Sequence, residues 1–319
     1  MNDAPLFLLI DQGGQSTRVS VTDEEGGEIA RARRAVCTET PGPGRAEQDG
    51  RSILADLRAC IREALSASEV DTGNLVAAAL AVQRGNVLCW DRETGSPLTP
   101  VLGWNDRRQP KRLPADDIGE RVRAETGLRH TPWGGAAKLR WCLENVPAVA
   151  DALKAERLAF GPLGGWLARE LVAAHPHVVD DTLAQRTLLF SHHRLQWSPQ
   201  LLEAFGLPPA PLPATVPSDH DFGPLDPTLE FARPLPLRLM IGDQNVVPDI
   251  DAPDIDAPDS VYINLGTGAF VLRPLPAGAC EGPAGPFQLT MRGRRDDIRD
   301  TEARYALEGS VHAAGAALQ

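Results

Sequence analysis

The chain opens on an unbroken apolar run, Leu6-Phe7-Leu8-Leu9-Ile10, followed at once by the polar stretch Asp11-Gln12-Gly13-Gly14-Gln15-Ser16-Thr17-Arg18. Such a run predicts a fully buried strand, and the Gly pair behind it predicts a tight reversal. Val19 and Val21 flank Ser20 in the alternation of a second strand, so the opening reads as a hairpin. Gly26-Gly27 turns the chain into a third strand over 28–32, and Pro41-Gly42-Pro43-Gly44 is a loop. Behind Asp49, residues Ile53, Leu54, Leu57, Cys60, Ile61, Ala64 and Leu65 recur at helical spacing, which predicts an N-capped helix reaching Ser68. Strands are predicted over 75–82, 87–90 and 101–104, the first ending in Gln83-Arg84-Gly85.

The middle of the chain reads as mostly helical, with helices over 115–126, 136–144, 149–156, 163–173 and 200–205. The last is bracketed by Pro199 and Gly206. Trp141 and Trp166 fall on two of these helices as core residues. Residues 208–236 are proline-dense and read as an extended surface connection. A strand over 237–241 ends in Gly242-Asp243-Gln244, and another over 261–265 turns at Gly266-Thr267-Gly268 into 269–273. A small-residue helix is expected from Glu308 to Gln319. Strands followed by helices and further strands, with charged and aromatic residues at strand ends, make an α/β plan. In open α/β sheets those carboxyl ends are where ligands bind.

Length and charge narrow the function. At 319 residues the chain holds one large or two ordinary domains, and 42% hydrophobic content supplies a full core. A net charge of −11 argues against a nucleic-acid or anionic-membrane surface. Met1-Asn2-Asp3-Ala4-Pro5 does not read as a signal peptide, and no stretch has the apolar length to span a bilayer. Five scattered cysteines with no CxxC spacing fit buried free thiols in a reducing cytoplasm. His175, His177, His192 and His193 read as surface histidines rather than metal ligands, and residues 251–259 as an acidic loop rather than a Ca²⁺ site. At the opening turn, backbone amides and hydroxyls suit phosphate oxygens, and Asp11 suits a hydrated Mg²⁺.

Five segments, in order, resemble the FGGY family of carbohydrate kinases. Asp11-Gln12-Gly13 through Ser16 and Arg18 resembles its DxGTxSxR phosphate loop. Gln83-Arg84, Cys89-Trp90-Asp91, Thr94-Gly95 and Trp104-Asn105-Asp106-Arg107-Arg108 resemble its substrate-lobe signature. Gly242-Asp243-Gln244 resembles the catalytic GDQ, and Asn264 through Phe270 the second phosphate loop. Tyr305-Ala306-Leu307-Glu308-Gly309-Ser310-Val311, with Gly315 and Gln319, resembles the helix that opens the ATP side. The resemblance implies an actin-like ATPase, ribonuclease H-like α/β fold, a mixed sheet flanked by helices, with the second domain incomplete. Residues 1–245 would form the substrate domain and 246–319 the beginning of the ATP-binding domain.

Carried over by position, the resemblance makes Asp243 the general base that accepts the proton of an attacking substrate hydroxyl. ATP is the implied phosphoryl donor and Mg²⁺ the implied metal, held by Asp11. Gly13, Gly14, Gln15, Ser16, Arg18, Gly266, Thr267, Gly315 and Gln319 would lie against the nucleotide. Arg84, Trp104, Trp133, Asp243, Gln244 and Phe270 would contact a small sugar or polyol, apolar faces meeting C–H groups and charged groups meeting hydroxyls.

The chain also departs from the pattern. Arg84-Gly85 stands where glycerol-kinase-like members have Arg-Glu, Trp133 where the aromatic is commonly Tyr, and Gly14-Gln15 where hydroxyl-bearing residues are usual. The expected substrate is therefore a sugar or polyol of unspecified identity. Family members usually run considerably longer, so this polypeptide is expected to bind ATP poorly or not at all. A non-catalytic sugar-binding or regulatory module is the alternative. Dimers are common in the family, which allows a homodimer, although no segment marks an interface.

Overall fold

The computed structural model of the protein describes residues 4–111, 117–246, 260–265, 269–281, 286–293 and 303–311. The N-terminal strands are β1 (Leu6–Gln12), β2 (Ser16–Thr22), β3 (Glu28–Ala35), β4 (Glu47–Gln48), β5 (Leu75–Val82), β6 (Val87–Asp91) and β7 (Val101–Leu102). They continue as β8 (Leu158–Pro162), β9 (Val178–Asp180), β10 (Phe190–Ser191), β11 (Gln196–Trp197), β12 (Ala214–Val216), β13 (Gly223–Pro224) and β14 (Pro236–Gly242). The last four are β15 (Tyr262–Leu265), β16 (Ala269–Pro274), β17 (Gln288–Gly293) and β18 (Arg304–Val311). The helices are α1 (Gly50–Leu65), α2 (Ile118–Thr126), α3 (Gly135–Asn145), α4 (Pro147–Lys154), α5 (Leu163–Leu171), α6 (Asp181–Gln185) and α7 (Pro199–Phe205).

The central sheet runs β13-β14-β5-β1-β2-β3. Its β14, β5 and β1 are parallel neighbours, whereas β2 and β3 continue antiparallel from β1. The sheet is thus mixed. A four-stranded sheet β4-β7-β6-β8 lies beside it, and the described part of the C-terminal segment forms another, β15-β16-β18-β17.

Side-chain periodicity explains the layers. In β1, Leu6, Leu8 and Ile10 point into one cluster with Val19, Val21, Leu80 and Val82, onto which α1 packs Ile53, Leu57 and Ile61. Each such Leu or Ile contributes roughly 1.5–3 kcal/mol by leaving water. Asp49 caps α1 by accepting the backbone N–H of Arg51 at 2.9 Å. A second cluster, with Cys89, Leu102, Leu139, Cys142, Phe160 and Leu201, fills the space under the β4-β7-β6-β8 sheet. Cys60, Cys89 and Cys142 are buried thiols, Cys37 is exposed, and all five cysteines are free.

Four expectations need correction. The first strand is buried on one face only: Leu9 is 41% exposed, because the opposite face of β1 is not covered. Residues 208–236 are not a mere surface connection, since Leu212, Phe222, Leu225, Leu229 and Leu235 are buried and β12, β13 and β14 join sheets. The helix expected from Glu308 is a strand through Val311, because β18 finds antiparallel partners on both sides in β16 and β17. Backbone hydrogen bonding along two ladders overrides the helical preference of small residues; residues 312–319 lie outside the described residues. Finally, His192 is buried and His177 half-buried, so the surface reading holds for His175 and His193 alone.

Candidate active site

Three parallel strands end level with one another. Gln12 pairs with Val82, and Gly242 pairs with Val82, so Asp11, Arg84 and Asp243 emerge at one edge of the central sheet. The backbone fixes this convergence: the N–H of Gln83 donates to the Gln12 carbonyl at 2.8 Å, and that of Asp243 to the Val82 carbonyl at 2.9 Å.

The Asp243 side chain is 28% exposed. Its Oδ1 accepts the backbone N–H of Gln244 at 2.9 Å, its Oδ2 accepts Gln244 Nε2 at 3.1 Å, and Arg84 Nε stands 3.9 Å from Oδ1. Gln244 Oε1 in turn accepts Asn264 Nδ2 at 2.8 Å. The Arg84 guanidinium lies 5.4 Å from the centre of the Phe270 ring, a cation–π distance. Arg84, Asp243, Gln244 and Phe270 therefore come together. Trp104 stands close to the turn after Arg84: its backbone N–H donates to Asn86 Oδ1 at 2.9 Å, and a Cβ on Gly85 would lie 3.2 Å from Trp104 Cβ. Gly85 has φ +75°, a left-handed backbone that a side chain would strain. Both Trp104 and Trp133 are half-buried rather than core, and the ring contact of Trp133 is to Arg107, 5.5 Å away. Trp166 is buried as expected. Trp141 is only partly so, with the Arg108 guanidinium 4.5 Å from its ring centre. Asp106 and Arg108 form the expected ion-pair network together with Glu47.

At the opening hairpin, Gly13 N–H donates to the Ser16 carbonyl at 3.0 Å and Gln48 Nε2 donates to the Gly14 carbonyl at 3.1 Å, so the loop is held from two sides. Ser16 is buried, Gln15 exposed, and Arg18 ion-pairs with Asp11 at 2.7 Å across the β1–β2 register. Burial raises the Asp11 carboxyl above its usual range; the Asp243 charge adds to this while Arg18 opposes it. Gly266, Thr267, Gly315 and Gln319 lie outside the described residues.

Two acidic groups near one another, one already disfavoured as an anion, form a donor set that suits a hydrated divalent cation. The buried Oε1 of Gln83 has no partner, and a Cβ on Gly14 would stand 3.0 Å from it, so a free acceptor sits at the same loop. These residues fit Mg²⁺ held through water. Among the described residues no group of three or more His, Cys, Asp or Glu gathers as a metal site.

Several contributors carry no motif of their own. Glu308 is buried and accepts Arg84 Nη1 at 2.6 Å and Arg186 Nη2 at 2.7 Å on a single oxygen, Oε2. Burial opposes its ionisation, yet the two guanidiniums hold it down at about 2, while burial lowers Arg186 to about 10. Lys138, 1% exposed, donates Nζ to the Gly103 carbonyl at 2.6 Å, fixing the approach to Trp104; burial lowers it to about 8. Glu308 entered the sequence reading only as part of the Tyr305–Val311 segment, with no role of its own, and Arg186 gave no signal.

A mixed sheet whose parallel strands deliver two aspartates and an arginine to one edge defines the actin-like ATPase class of fold. Solved structures agree. Plasmodium falciparum glycerol kinase with ADP superposes with a TM-score of 0.83 at 23% identity, covering 99% of this chain and 62% of that one. A xylulose kinase from Rhodospirillum rubrum gives 0.79 at 21%, covering 98% and 62%. The sequence profile of the N-terminal domain of the FGGY family of carbohydrate kinases matches residues 6–245, and the chain belongs to that family. A glycerol kinase of Rhodospirillum rubrum is 36% identical over 318 residues, 99% of this chain and 63% of the relative. One from Thermus brockianus is 36% identical over 98% and 62% respectively. The chain thus spans less than two thirds of the length of these relatives. No described helix is long and apolar enough to cross a membrane.

Proposed function

We propose that this chain supplies the substrate lobe, residues 1–245, and the beginning of the ATP lobe, residues 246–319, of a kinase that phosphorylates a hydroxyl of a small sugar or polyol. The observation that carries this is the convergence of Asp11, Arg84 and Asp243 at three level strand ends, with Gln244 and Phe270 beside them.

Phosphoryl transfer asks for positioning and charge neutralisation more than for covalent chemistry. Asp243, partly exposed and held by Gln244, accepts the proton as the substrate hydroxyl attacks the γ-phosphorus of ATP. Arg84 and Gln244 orient the hydroxyl-bearing carbon chain, while Phe270 and Trp104 offer apolar surface to its C–H groups. Trp133 would extend that wall. The amides of Gly14 and Gln15, beside Gly13 and with Ser16 and Arg18, would face phosphate from one side, and Gly266, Thr267, Gly315 and Gln319 are assigned to the other. Mg²⁺, held by Asp11 through water, would neutralise phosphate charge when bound.

The deciding experiment is turnover with ATP and Mg²⁺ against glycerol, xylulose and gluconate, with Asp243→Asn as control. A fall of about 100-fold or more in kcat is expected for that variant. An unchanged rate would remove Asp243 from the role of base. Calorimetry separates the remaining alternative, since polyol binding without any ATP binding favours a non-catalytic sugar-binding module.

A further inference from the structure

Strand β14 delivers Asp243, yet its outer edge is covered by another strand only at the start. β13 pairs with Pro236 and Leu237, and beyond them no strand among the described residues pairs with β14 on that side. Amides along a strand point alternately to its two edges. The N–H of Asp243 turns inward to the Val82 carbonyl, so those of Met240 and Gly242 turn outward, and both residues are buried. Met240 donates to the Ser218 carbonyl at 2.9 Å, and Gly242 donates to Thr182 Oγ1 at 2.9 Å. A side-chain hydroxyl thus stands where the carbonyl of a neighbouring strand would.

One carboxylate holds both of these segments. Asp180 Oδ2 accepts Thr182 Oγ1 at 2.6 Å and Ser218 Oγ at 2.9 Å. It also accepts the Thr182 N–H at 3.0 Å, while Oδ1 accepts that of Leu183 at 3.2 Å. Asp180 and Thr182 are fully buried, and Ser218 nearly so. A threonine hydroxyl has a single proton. With that proton given to Asp180, a lone pair is left for Gly242 and the rotamer is fixed. Asp180 ends β9 and Ser218 follows β12, and these two strands pair in parallel as a small sheet of their own. That sheet supplies the neighbour that β14 lacks.

From this arrangement we infer that Thr182 is a positioning residue for Asp243: its hydroxyl, aimed by Asp180, holds the end of β14 level with the ends of β5 and β1. The inference rests on the reading of Asp243 as the general base. The carbonyl of Gly242 accepts the Asn245 N–H at 2.9 Å, so Thr182 completes the pinning of Gly242 at both of its backbone groups. Without the hydroxyl, a buried N–H is left unpaired one residue before Asp243. The strand end then shifts toward another acceptor and takes the carboxyl group with it. Thr182 acts through the backbone, so its loss changes the place of Asp243 and no charge.

Thr182→Val keeps the shape of the side chain and removes only the hydroxyl, whereas Thr182→Ser keeps the hydroxyl. Amide hydrogen exchange on the full chain is the first measurement and needs no turnover. In the parent protein the Gly242 amide is expected to exchange as slowly as the ladder-bonded amide of Asp243. Thr182→Val is expected to speed it about tenfold or more, with Thr182→Ser like the parent. A fast Gly242 amide in the parent overturns the inference without any variant, and so does one left unmoved by Thr182→Val. Steady-state rates then separate positioning from a merely structural role. Thr182→Val should lower kcat about tenfold or more while KM changes less than about threefold, and Thr182→Ser should restore kcat. In an Asp243→Asn background the same substitution should change kcat less than about twofold, because no base is left to align. Equal losses in the two backgrounds overturn the inference. Full turnover in Asp243→Asn would instead overturn the general-base reading, while Gly242 exchange would still report the Thr182 contact.

Discussion

Gly242, the residue before Asp243, can be tested directly because its constraint is purely steric. It does not adopt a left-handed φ, so alanine is allowed there by the backbone. A Cβ would nevertheless stand 2.5 Å from Asn245 Oδ1, 2.8 Å from Arg84 Cγ and 2.9 Å from Arg84 Cδ, where ordinary contact begins at 3.4 Å. The aliphatic stem of Arg84 runs directly across this glycine. To admit a methyl group, the stem must retreat by about half an ångström, but Nη1 is anchored on Glu308 at 2.6 Å. Overpacking of this kind costs ~1–3 kcal/mol. Stretching a buried charge-assisted hydrogen bond, worth ~1.5–3 kcal/mol when intact, adds to it. Gly242→Ala is therefore expected to lose about 2–4 kcal/mol of stability in urea unfolding, with an unchanged m-value. It should also lower kcat/KM on whichever polyol is turned over. In an Arg84→Ala background the cost should shrink without vanishing, since the Arg84 stem is gone while the 2.5 Å approach to Asn245 Oδ1 remains. A Gly242→Ala protein within about 0.5 kcal/mol of the parent in both backgrounds would refute the account.

Two further predictions concern pH. Burial raises Asp180 to about 6, against the hydrogen bonds it accepts from Thr182, Ser218 and Leu183. The folded state then holds this proton more tightly than the unfolded state, so stability should fall by up to about 3 kcal/mol as pH rises from about 4 to 6. Asp180→Asn should flatten that window in chemical unfolding measured across it. Lys138 has the opposite sign: lowered by burial to about 8 from 10.5, it is bare in the folded state while still protonated in the unfolded one. Stability should consequently rise between those pH values, and Lys138→Met should abolish the rise. Loss of its hydrogen bond to Gly103 should also raise KM more than it lowers kcat, read from steady-state rates.

The legible part of the fold is the part where one physical signal dominates. Apolar runs at 6–10 and 75–82, and the stretch 237–241 broken only by Arg238, announced the three strands that lie parallel, and the first polar residues after them are Asp11, Gln83 with Arg84, and Asp243. The helix behind Asp49 was equally plain, since its buried positions recur every three to four residues. Illegible elements are those whose interiors are polar. Asp180, Asp181, Thr182, Gln185 and Thr187 are all buried, so α6 and its neighbours show no hydrophobic period, and Arg186 is hidden among them. Between 208 and 236 the buried leucines stand singly among prolines, with no spacing to read. Glu308 was misread for a different reason. Small residues are compatible with helix or strand, and only pairing with β16 and β17 decides between them. Asn245 and Thr290, which brace Arg84 across 161 and 206 residues of sequence, belong to contacts that no local pattern encodes.

The division of residues 1–245 between two sheets has an evolutionary consequence. Asp11, Arg84 and Asp243 hang from the central sheet, whereas Trp104 follows the short β7 of the neighbouring sheet and Trp133 precedes α3. Lys138 of α3 ties the Trp104 approach to that second unit, which has its own apolar cluster. On the proposed function, residues around Trp104 and Trp133 could thus be exchanged, loop by loop, with little strain transmitted to the strands that carry Asp11 and Asp243. If the proposed function holds, a fold arranged this way lets substrate preference drift while the strand ends carrying Asp11, Arg84 and Asp243 are inherited intact.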